Sequence, residues 1–68
     1  MKMVGLRQIR KEKGYSQLKV AMELNLARES LSNYENGKRN PDLETLVLLS
    51  KYFDKSIDYL ITGEEFNK

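Results

Sequence analysis

Residues 16–37 read SQLKVAMELNLARESLSNYENG, and this stretch decides the fold. Within it, apolar residues recur with helical spacing over Gln17 to Leu24 and again over Arg28 to Glu35. Only three residues, Asn25 to Ala27, join the two segments. A link of this length is too short to turn the second helix back antiparallel to the first, so it predicts two helices that meet at a sharp corner.

The predicted corner makes three demands on side chains. The two helices need a small residue where they touch, and Ala21 supplies it. The turn needs a residue that tolerates left-handed backbone, which asparagine does at less cost than other residues with a Cβ atom, so Asn25 fits. Apolar side chains must fill the inside of the corner, and Leu26, Leu31 and Tyr34 are placed to do so. Each demand is met at the expected position.

Helical spacing continues on both sides of the corner. It predicts further helices over Val4 to Lys13, Leu43 to Phe53 and Ile57 to Ile61, and no segment alternates with period two for long enough to form a strand. Good N-capping residues precede three of the predicted helices: Ser16, Asp42 and Ser56. The predicted fold class is therefore all-α, a compact domain of five short helices.

Length and composition exclude several classes of protein. The chain has 68 residues and contains no cysteine and no histidine. It suits one domain, which we place at residues 1–68 with a core over 4–63 and a short tail over 64–68. A zinc finger, a thiol redox centre and a hydrolytic triad are excluded, so we expect no enzyme, no metal and no cofactor. The longest apolar run, residues 46–49, is too short to cross a bilayer and no signal peptide is present, so we expect a cytoplasmic protein.

Charge is distributed unevenly along the chain. Residues 1–40 carry nine basic and four acidic side chains, a net charge of +5, whereas residues 41–68 carry three basic and six acidic ones, a net charge of −3. The first part is suited to a polyanion and the second would repel one. Such fluctuations also occur in proteins that bind nothing charged, so the asymmetry counts only beside a second feature.

The third predicted helix supplies that feature, because its outward face is polar. At about 100° per residue, four polar side chains fall on the side away from Leu31: Arg28, Glu29, Ser32 and Asn33. All four can reach base edges, since arginine pairs with guanine, asparagine with adenine, and glutamate accepts from cytosine. Exposed helix faces are commonly polar, so it is the corner and the basic flanks that make these residues candidates for reading bases.

Several short motifs carry a resemblance to a known family. They are GYSQ at 14–17, Ala21, YENGKRNP at 34–41, LETL at 43–46 and DYLITG at 58–63. With them the chain resembles the Cro/repressor-type helix-turn-helix family, also called the XRE family, over residues 4–63 without gaps. The resemblance implies a lambda-repressor-like DNA-binding domain whose third helix enters the major groove of duplex DNA.

The resemblance also implies roles for individual residues. The family's base-contacting positions match Arg28, Glu29, Ser32 and Asn33. Its DNA-backbone positions match six residues: Ser16, Gln17, Asn36, Lys38, Arg39 and Arg10. The family often joins the residues matching Arg10 and Glu35 as an ion pair, so Arg10 has a predicted structural role beside its phosphate contact. The residue matching Gln17 either bonds a phosphate or supports the recognition helix.

Three residues depart from the family pattern. Asn25 stands where the family usually has glycine, which adds some backbone strain. Ala27 stands where a capping serine or threonine is common, so the third helix lacks a cap worth about 1 kcal/mol. Glu29 places a negative charge on the reading face, where it selects cytosine, repels non-specific DNA or pairs with a neighbour, and we rank it below Arg28 and Asn33.

Apolar residues outside the core faces point to self-association. We expect the fourth helix to bury one stripe: Leu43, Leu46, Val47, Ser50 and Phe53. Leu48 and Tyr52 then lie on the opposite side, and Leu18 and Met22 form a similar pair on the second helix. Alternatively, the fifth helix or the tail covers Leu48 and Tyr52. The candidate residues for a homodimer are Leu48, Tyr52, Tyr59, Ile61 and Phe66.

Two functional hypotheses from different classes follow. The first is a sequence-specific regulator of transcription from a bacterium or phage, a repressor that binds double-stranded DNA as a homodimer on an inverted repeat. With no effector domain after residue 68, control would come from DNA occupancy, dimerisation or a protein partner. The second is a protein-interaction module of the same fold, similar to an antitoxin, with DNA binding secondary. The two apolar pairs on the second and fourth helices favour this alternative.

Overall fold

The computed structural model describes residues 1–65, which form five α-helices and no strand. The helices are α1 (Val4–Glu12), α2 (Gln17–Glu23), α3 (Arg28–Asn36), α4 (Leu43–Phe53) and α5 (Ile57–Thr62). The predicted all-α fold class is confirmed. Helix ends differ from the predicted ones by at most one residue, and α4 has the predicted bounds. In this part of the chain no helix is long and apolar enough to span a membrane.

Side-chain caps fix where three helices begin, as predicted. The Ser16 hydroxyl accepts a hydrogen bond from the backbone N–H of Lys19 at 2.9 Å, and the Asp42 carboxylate accepts one from Thr45 at 2.9 Å. The hydrogen bonds from Thr45 hold the pKa of Asp42 below its usual value. Ser56 caps α5 in the same way at 3.0 Å. By contrast, Ala27 stands at the N-cap of α3 and makes no side-chain hydrogen bond, which confirms that departure.

The core is formed by all five helices and by a residue that precedes α1. Its fully buried large side chains are Met3, Leu6, Val20, Leu31, Leu49, Phe53 and Leu60. Met3 was not predicted. Its backbone N–H donates to the carbonyl of Tyr34 at 3.2 Å, so the N-terminal segment lies against α3. This contact places α1 beside the helix that carries the candidate base-reading residues.

The predicted core stripe of α4 is wrong in part. Leu49, which was not in the stripe, is fully buried, whereas Leu43 is 73% exposed and Val47 is 39% exposed. Phe53 is buried as predicted, and Leu46 and Ser50 are half-buried. Residues 46–49 are all apolar, so the sequence alone does not determine which side of this helix faces inward. The helix is rotated so that Leu49 takes the central position.

Candidate nucleic-acid interface

The link between α2 and α3 has the geometry that the sequence predicts. Asn25 has φ 61°, in the left-handed region, and Ala21 is 1% exposed. The backbone N–H of Leu26 donates to the carbonyl of Ala21 at 2.8 Å, which closes the turn directly onto α2. Leu31 is fully buried, and Leu26 is half-buried. The corner therefore fixes how α3 leaves α2.

The four candidate base-reading residues occupy the outer side of α3. Arg28 and Glu29 are exposed, and Ser32 and Asn33 are half-buried. On the opposite side, Leu31 and Glu35 are buried among the neighbouring helices. The polar side chains thus face away from the core, and the two that project furthest into solvent lie in the first turn of the helix.

A buried ion pair ties α3 to α1. The Arg10 Nε donates to Glu35 Oε2 at 2.6 Å and Nη2 donates to Oε1 at 3.0 Å, while the two side chains are 9% and 4% exposed. The Arg10 Nη1 also donates to the carbonyl of Tyr15 at 2.8 Å. The predicted structural pair is confirmed. Because three of its nitrogens bond within the domain, the phosphate contact of Arg10 stays a prediction.

Gln17 connects this buried pair to the outer side of α3. Its Nε2 donates to Glu35 Oε1 at 3.1 Å, and its Oε1 accepts from Arg28 Nη1 at 3.1 Å. The orientation of the amide is determined by chemistry, because a carboxylate only accepts and a guanidinium only donates. Gln17 therefore holds Arg28 in a defined position, a link that no periodicity in the sequence indicates.

The loop after α3 presents the predicted backbone-contacting residues. Gly37 ends the helix with φ 86°, and the Asn36 side-chain oxygen accepts from the backbone N–H of Lys38 at 3.1 Å. The same N–H also donates to the carbonyl of Asn33 at 2.9 Å. The side chains of Lys38 and Arg39 are exposed. The loop is thus ordered by its own hydrogen bonds while its two cations project into solvent.

The comparisons with known proteins agree with this geometry. A helix-turn-helix family model matches residues 6–60, which is most of the chain. The chain belongs to that family. Its five helices are the all-α lambda-repressor-like fold that the sequence motifs imply.

Three similar proteins are named as regulators of transcription. The HTH-type transcriptional regulator ImmR of Bacillus subtilis is 41% identical over 63 residues, 93% of this chain and 50% of ImmR. The HTH-type transcriptional activator BcrR of Enterococcus faecalis is 40% identical over 60 residues, 88% of this chain and 29% of BcrR. YonR, an SPbeta prophage-derived HTH-type regulator of Bacillus subtilis, is 43% identical over 58 residues, 85% of this chain and 54% of YonR. The chain spans about half or less of these relatives.

Of the candidate dimer residues of this helix-turn-helix domain, Tyr59 is turned inward, which corrects that prediction, and Tyr52 is half-buried against neighbouring rings. The Tyr52 ring packs against Phe53 with centroids 4.8 Å apart and against Tyr15 at 6.2 Å, and its hydroxyl donates to Glu23. Partial burial and then that hydrogen bond raise the pKa of Tyr52 to about 12. Tyr59 is only 6% exposed, and its hydroxyl accepts from Gln8 at 3.0 Å. The Tyr59 ring is therefore not available to a second copy, whereas Tyr52 stays half-buried.

The remaining dimer candidates fall into different positions. Leu48 is 41% exposed on α4, and Ile61 is half-buried on α5. Phe66 lies outside the described residues. The rotation of α4 adds Leu43 and Val47 to its exposed apolar side, so the surface around Leu48 is larger than the sequence suggests. On α2, Leu18 and Met22 are 53% and 70% exposed, as predicted for that pair.

Proposed function

We propose that this helix-turn-helix domain binds duplex DNA at a specific sequence and regulates transcription. The observation that carries the proposal is the fixed placement of α3, whose inner side is bonded to α1 through Glu35 and whose outer side exposes Arg28 and Glu29. The names of the similar proteins support it. We propose no catalytic activity, and we place its action in the cytoplasm of a bacterium, on the nucleoid.

In this proposal α3 lies in the major groove, which is about 12 Å wide and admits one helix. Arg28 pairs with guanine, Asn33 with adenine and Glu29 with cytosine, while Ser32 bonds either donor or acceptor groups. Phosphates on the two flanks are bound by Ser16 and Gln17 at the start of α2 and by three residues at the end of α3 and in the loop after it: Asn36, Lys38 and Arg39. The phosphate contacts set the register, and the base contacts select the sequence.

Gln17 contributes to base reading through Arg28. A free arginine side chain loses much rotamer freedom when it is fixed on a base edge, which weakens binding. Here Arg28 already bonds Gln17 before any DNA is present. Part of that ordering is therefore done in the unbound domain, and we propose Gln17 as a positioning residue as well as a phosphate contact.

The proposal also includes a homodimer on an inverted repeat, which acts as a repressor by occupying DNA. A two-fold dimer presents two copies of α3 to half-sites about 10–10.5 base pairs apart. The apolar side chains on α4 support self-association, since Leu43, Val47 and Leu48 are all more than a third exposed. The relative BcrR is named an activator, whereas we propose a repressor here.

Selection of bound duplexes from a random pool at about 150 mM salt tests the function directly, because non-specific phosphate attraction is weak at that salt. Enrichment of an inverted repeat supports a dimeric regulator and yields its site. Enrichment of one half-site supports DNA reading and contradicts the dimer. If nothing is enriched, the proposal is wrong, and the protein-interaction module, favoured by the exposed Leu18 and Met22, takes its place.

Replacing Arg28 with alanine should weaken binding to the selected site by about 1–3 kcal/mol and relax the preference at one base pair. Replacing Lys38 with alanine is the contrasting control, because the loss of a phosphate contact should weaken all duplexes alike and reduce the salt dependence. Titration of both variants against a panel of single-base changes measures the difference. A uniform loss for Arg28→Ala would place that side chain on the backbone rather than on a base.

Replacing Leu48 with glutamate should raise the dissociation constant of the dimer by roughly tenfold or more, since burying a leucine side chain is worth about 1.5–3 kcal/mol. Sedimentation velocity over a range of protein concentrations measures the shift. Leu18→Glu is the matched control, with the same change at a comparably exposed leucine on α2. A dimer that survives Leu48→Glu and dissociates with Leu18→Glu would move the interface from α4 to α2.

A further inference from the structure

A basic cleft of about 490 Å³ lies where α1, the start of α2 and α3 meet. Three of its lining residues, Arg10, Ser16 and Gln17, are predicted phosphate contacts, and Arg28 is a candidate base reader. The α1 side of the cleft is lined by Arg7 and Lys11. Both are exposed and lie one turn apart on α1, and neither the sequence motifs nor the comparisons give them a role.

The charge of the cleft is strongly positive. Its lining contains four cationic side chains, Arg7, Arg10, Lys11 and Arg28, and one carboxylate, Glu35. Both oxygens of that carboxylate are bonded within the domain, since they accept two hydrogen bonds from Arg10 and one from Gln17. Among residues 1–65, no ion pair involves Arg7 or Lys11. The cations on the α1 side of the cleft can therefore attract an anion from another molecule.

We propose that Arg7 and Lys11 bind backbone phosphates of the same duplex that α3 reads, which rests on the proposed function. The cleft joins the two cations to Gln17 and Arg28 in one continuous surface, so a strand that passes the start of α2 runs along the exposed side of α1. Phosphates flank the major groove on both sides of an inserted helix. The cleft lies beside α3, so its cations face one of these two rows of phosphates. The two residues add affinity and leave sequence preference unchanged.

Repulsion between like charges in the unbound domain allows a phosphate contact of Arg7 and Lys11 to be distinguished from a role in stability. Arg7 and Lys11 are four residues apart on α1, where equal charges repel, and Arg28 adds a third cation at the same cleft. Neutralising Arg7 removes repulsion in the unbound domain, so stability should stay the same or rise. Lys11 also lies in the last turn of α1, where a cation favours the helix dipole, so its neutralisation should lower stability by no more than about 1 kcal/mol. If the residue contacts a phosphate, its neutralisation should lower the affinity for DNA without a matching loss of stability. If its role is structural, stability and DNA affinity should fall together.

The test measures the salt dependence of DNA binding for Arg7→Gln, Lys11→Gln and the double variant, with the duplex selected by the 68-residue chain and with an unrelated duplex. Each lost phosphate contact should reduce the slope of log K against log salt by about 0.9. At about 150 mM salt this corresponds to roughly fivefold weaker binding for each charge, when the same law is extrapolated to 1 M. Lys51→Gln, which removes one exposed charge on α4 outside the cleft, is the matched control.

The expected result is a lower slope and weaker binding on both duplexes for the cleft variants, with the unfolding midpoint of Arg7→Gln at or above wild type and with Lys51→Gln unchanged. Slopes equal to wild type for both single variants, while Lys38→Ala lowers the slope, would overturn the proposal and leave the proposed function intact. A change in base preference would also overturn it, because phosphate contacts do not read sequence. A wild-type chain that binds no duplex would instead refute the proposed function.

Discussion

Replacing Glu35 with alanine is expected to lower the free energy of unfolding by about 3–5 kcal/mol, because it leaves Arg10 charged and buried without its partner. The Arg10 side chain is 9% exposed, and two of its three hydrogen bonds go to the lost carboxylate. The substitution also takes the acceptor from Gln17 Nε2, which then has no partner for its inner amide hydrogen. Removing one partner of a buried pair costs far more than the pair itself contributes.

The size of this effect is large relative to the whole domain. Stabilities of about 0.05–0.15 kcal/mol per residue give this chain roughly 3–10 kcal/mol in total. Glu35→Ala should therefore shift the urea midpoint strongly or abolish cooperative unfolding at 25 °C. The control is Glu23→Ala, which breaks an exposed ion pair with Lys19 and should cost much less. Equal losses for the two variants would contradict the assignment of the Arg10–Glu35 pair as a buried anchor.

A double variant tests whether the unpaired charge of Arg10 causes the loss of stability. In Arg10→Met with Glu35→Leu, both charges are replaced by apolar side chains, which is often neutral or stabilising for a buried pair. We expect this variant to recover much of the stability lost in Glu35→Ala, although the carbonyl of Tyr15 loses a donor. DNA binding should recover less, because Gln17 no longer connects Arg28 to a buried carboxylate. No recovery of stability would mean that the unpaired charge of Arg10 does not cause the loss.

Features set by short-range rules were predicted from the sequence. The α2–α3 corner follows from a three-residue link with Asn25, and the caps of α2, α4 and α5 follow from the hydrogen-bonding side chains that precede them. The outward side of α3 follows from helical periodicity around the buried Leu31. The Arg10–Glu35 pair came from the family resemblance, since nothing in the spacing of residues 25 apart along the chain indicates a contact.

Features that depend on the arrangement of helices were missed. The side of α4 that faces the core is chosen by its neighbours, because Leu46 to Leu49 offer apolar side chains in every direction. Met3 is buried by the docking of the N-terminal segment on α3, which no local pattern indicates. In the sequence, Arg7 and Lys11 are typical of the solvent-exposed face of a helix. The structure shows that the start of α2 lies beside them. In each case the deciding neighbour belongs to another helix, which the local sequence pattern does not describe.

Gly5 is a further residue of this kind, and its substitution should have the largest effect on the fold. A Cβ atom at Gly5 would lie 1.6 Å from the carbonyl oxygen of Tyr59 and 2.7 Å from its carbonyl carbon. These are backbone atoms of α5, so no side-chain rotation relieves the overlap. The same carbonyl accepts a hydrogen bond from Gly63 at 2.7 Å, which ties it to the end of that helix. Gly5→Ala therefore forces α1 and α5 apart.

Separating these helices opens the core at its centre, because α1 contributes Leu6 and Ile9 and α5 contributes Leu60. Overpacking in a core costs about 1–3 kcal/mol when side chains can adjust, and here the backbone itself must move, so we expect at least about 3 kcal/mol. Gly14→Ala is the control, since a Cβ there meets nothing within 4 Å and costs only the left-handed backbone strain at φ 73°, about 1–2 kcal/mol. Thermal unfolding measures both. If Gly5→Ala is no less stable than Gly14→Ala, α1 and α5 do not approach as closely as described.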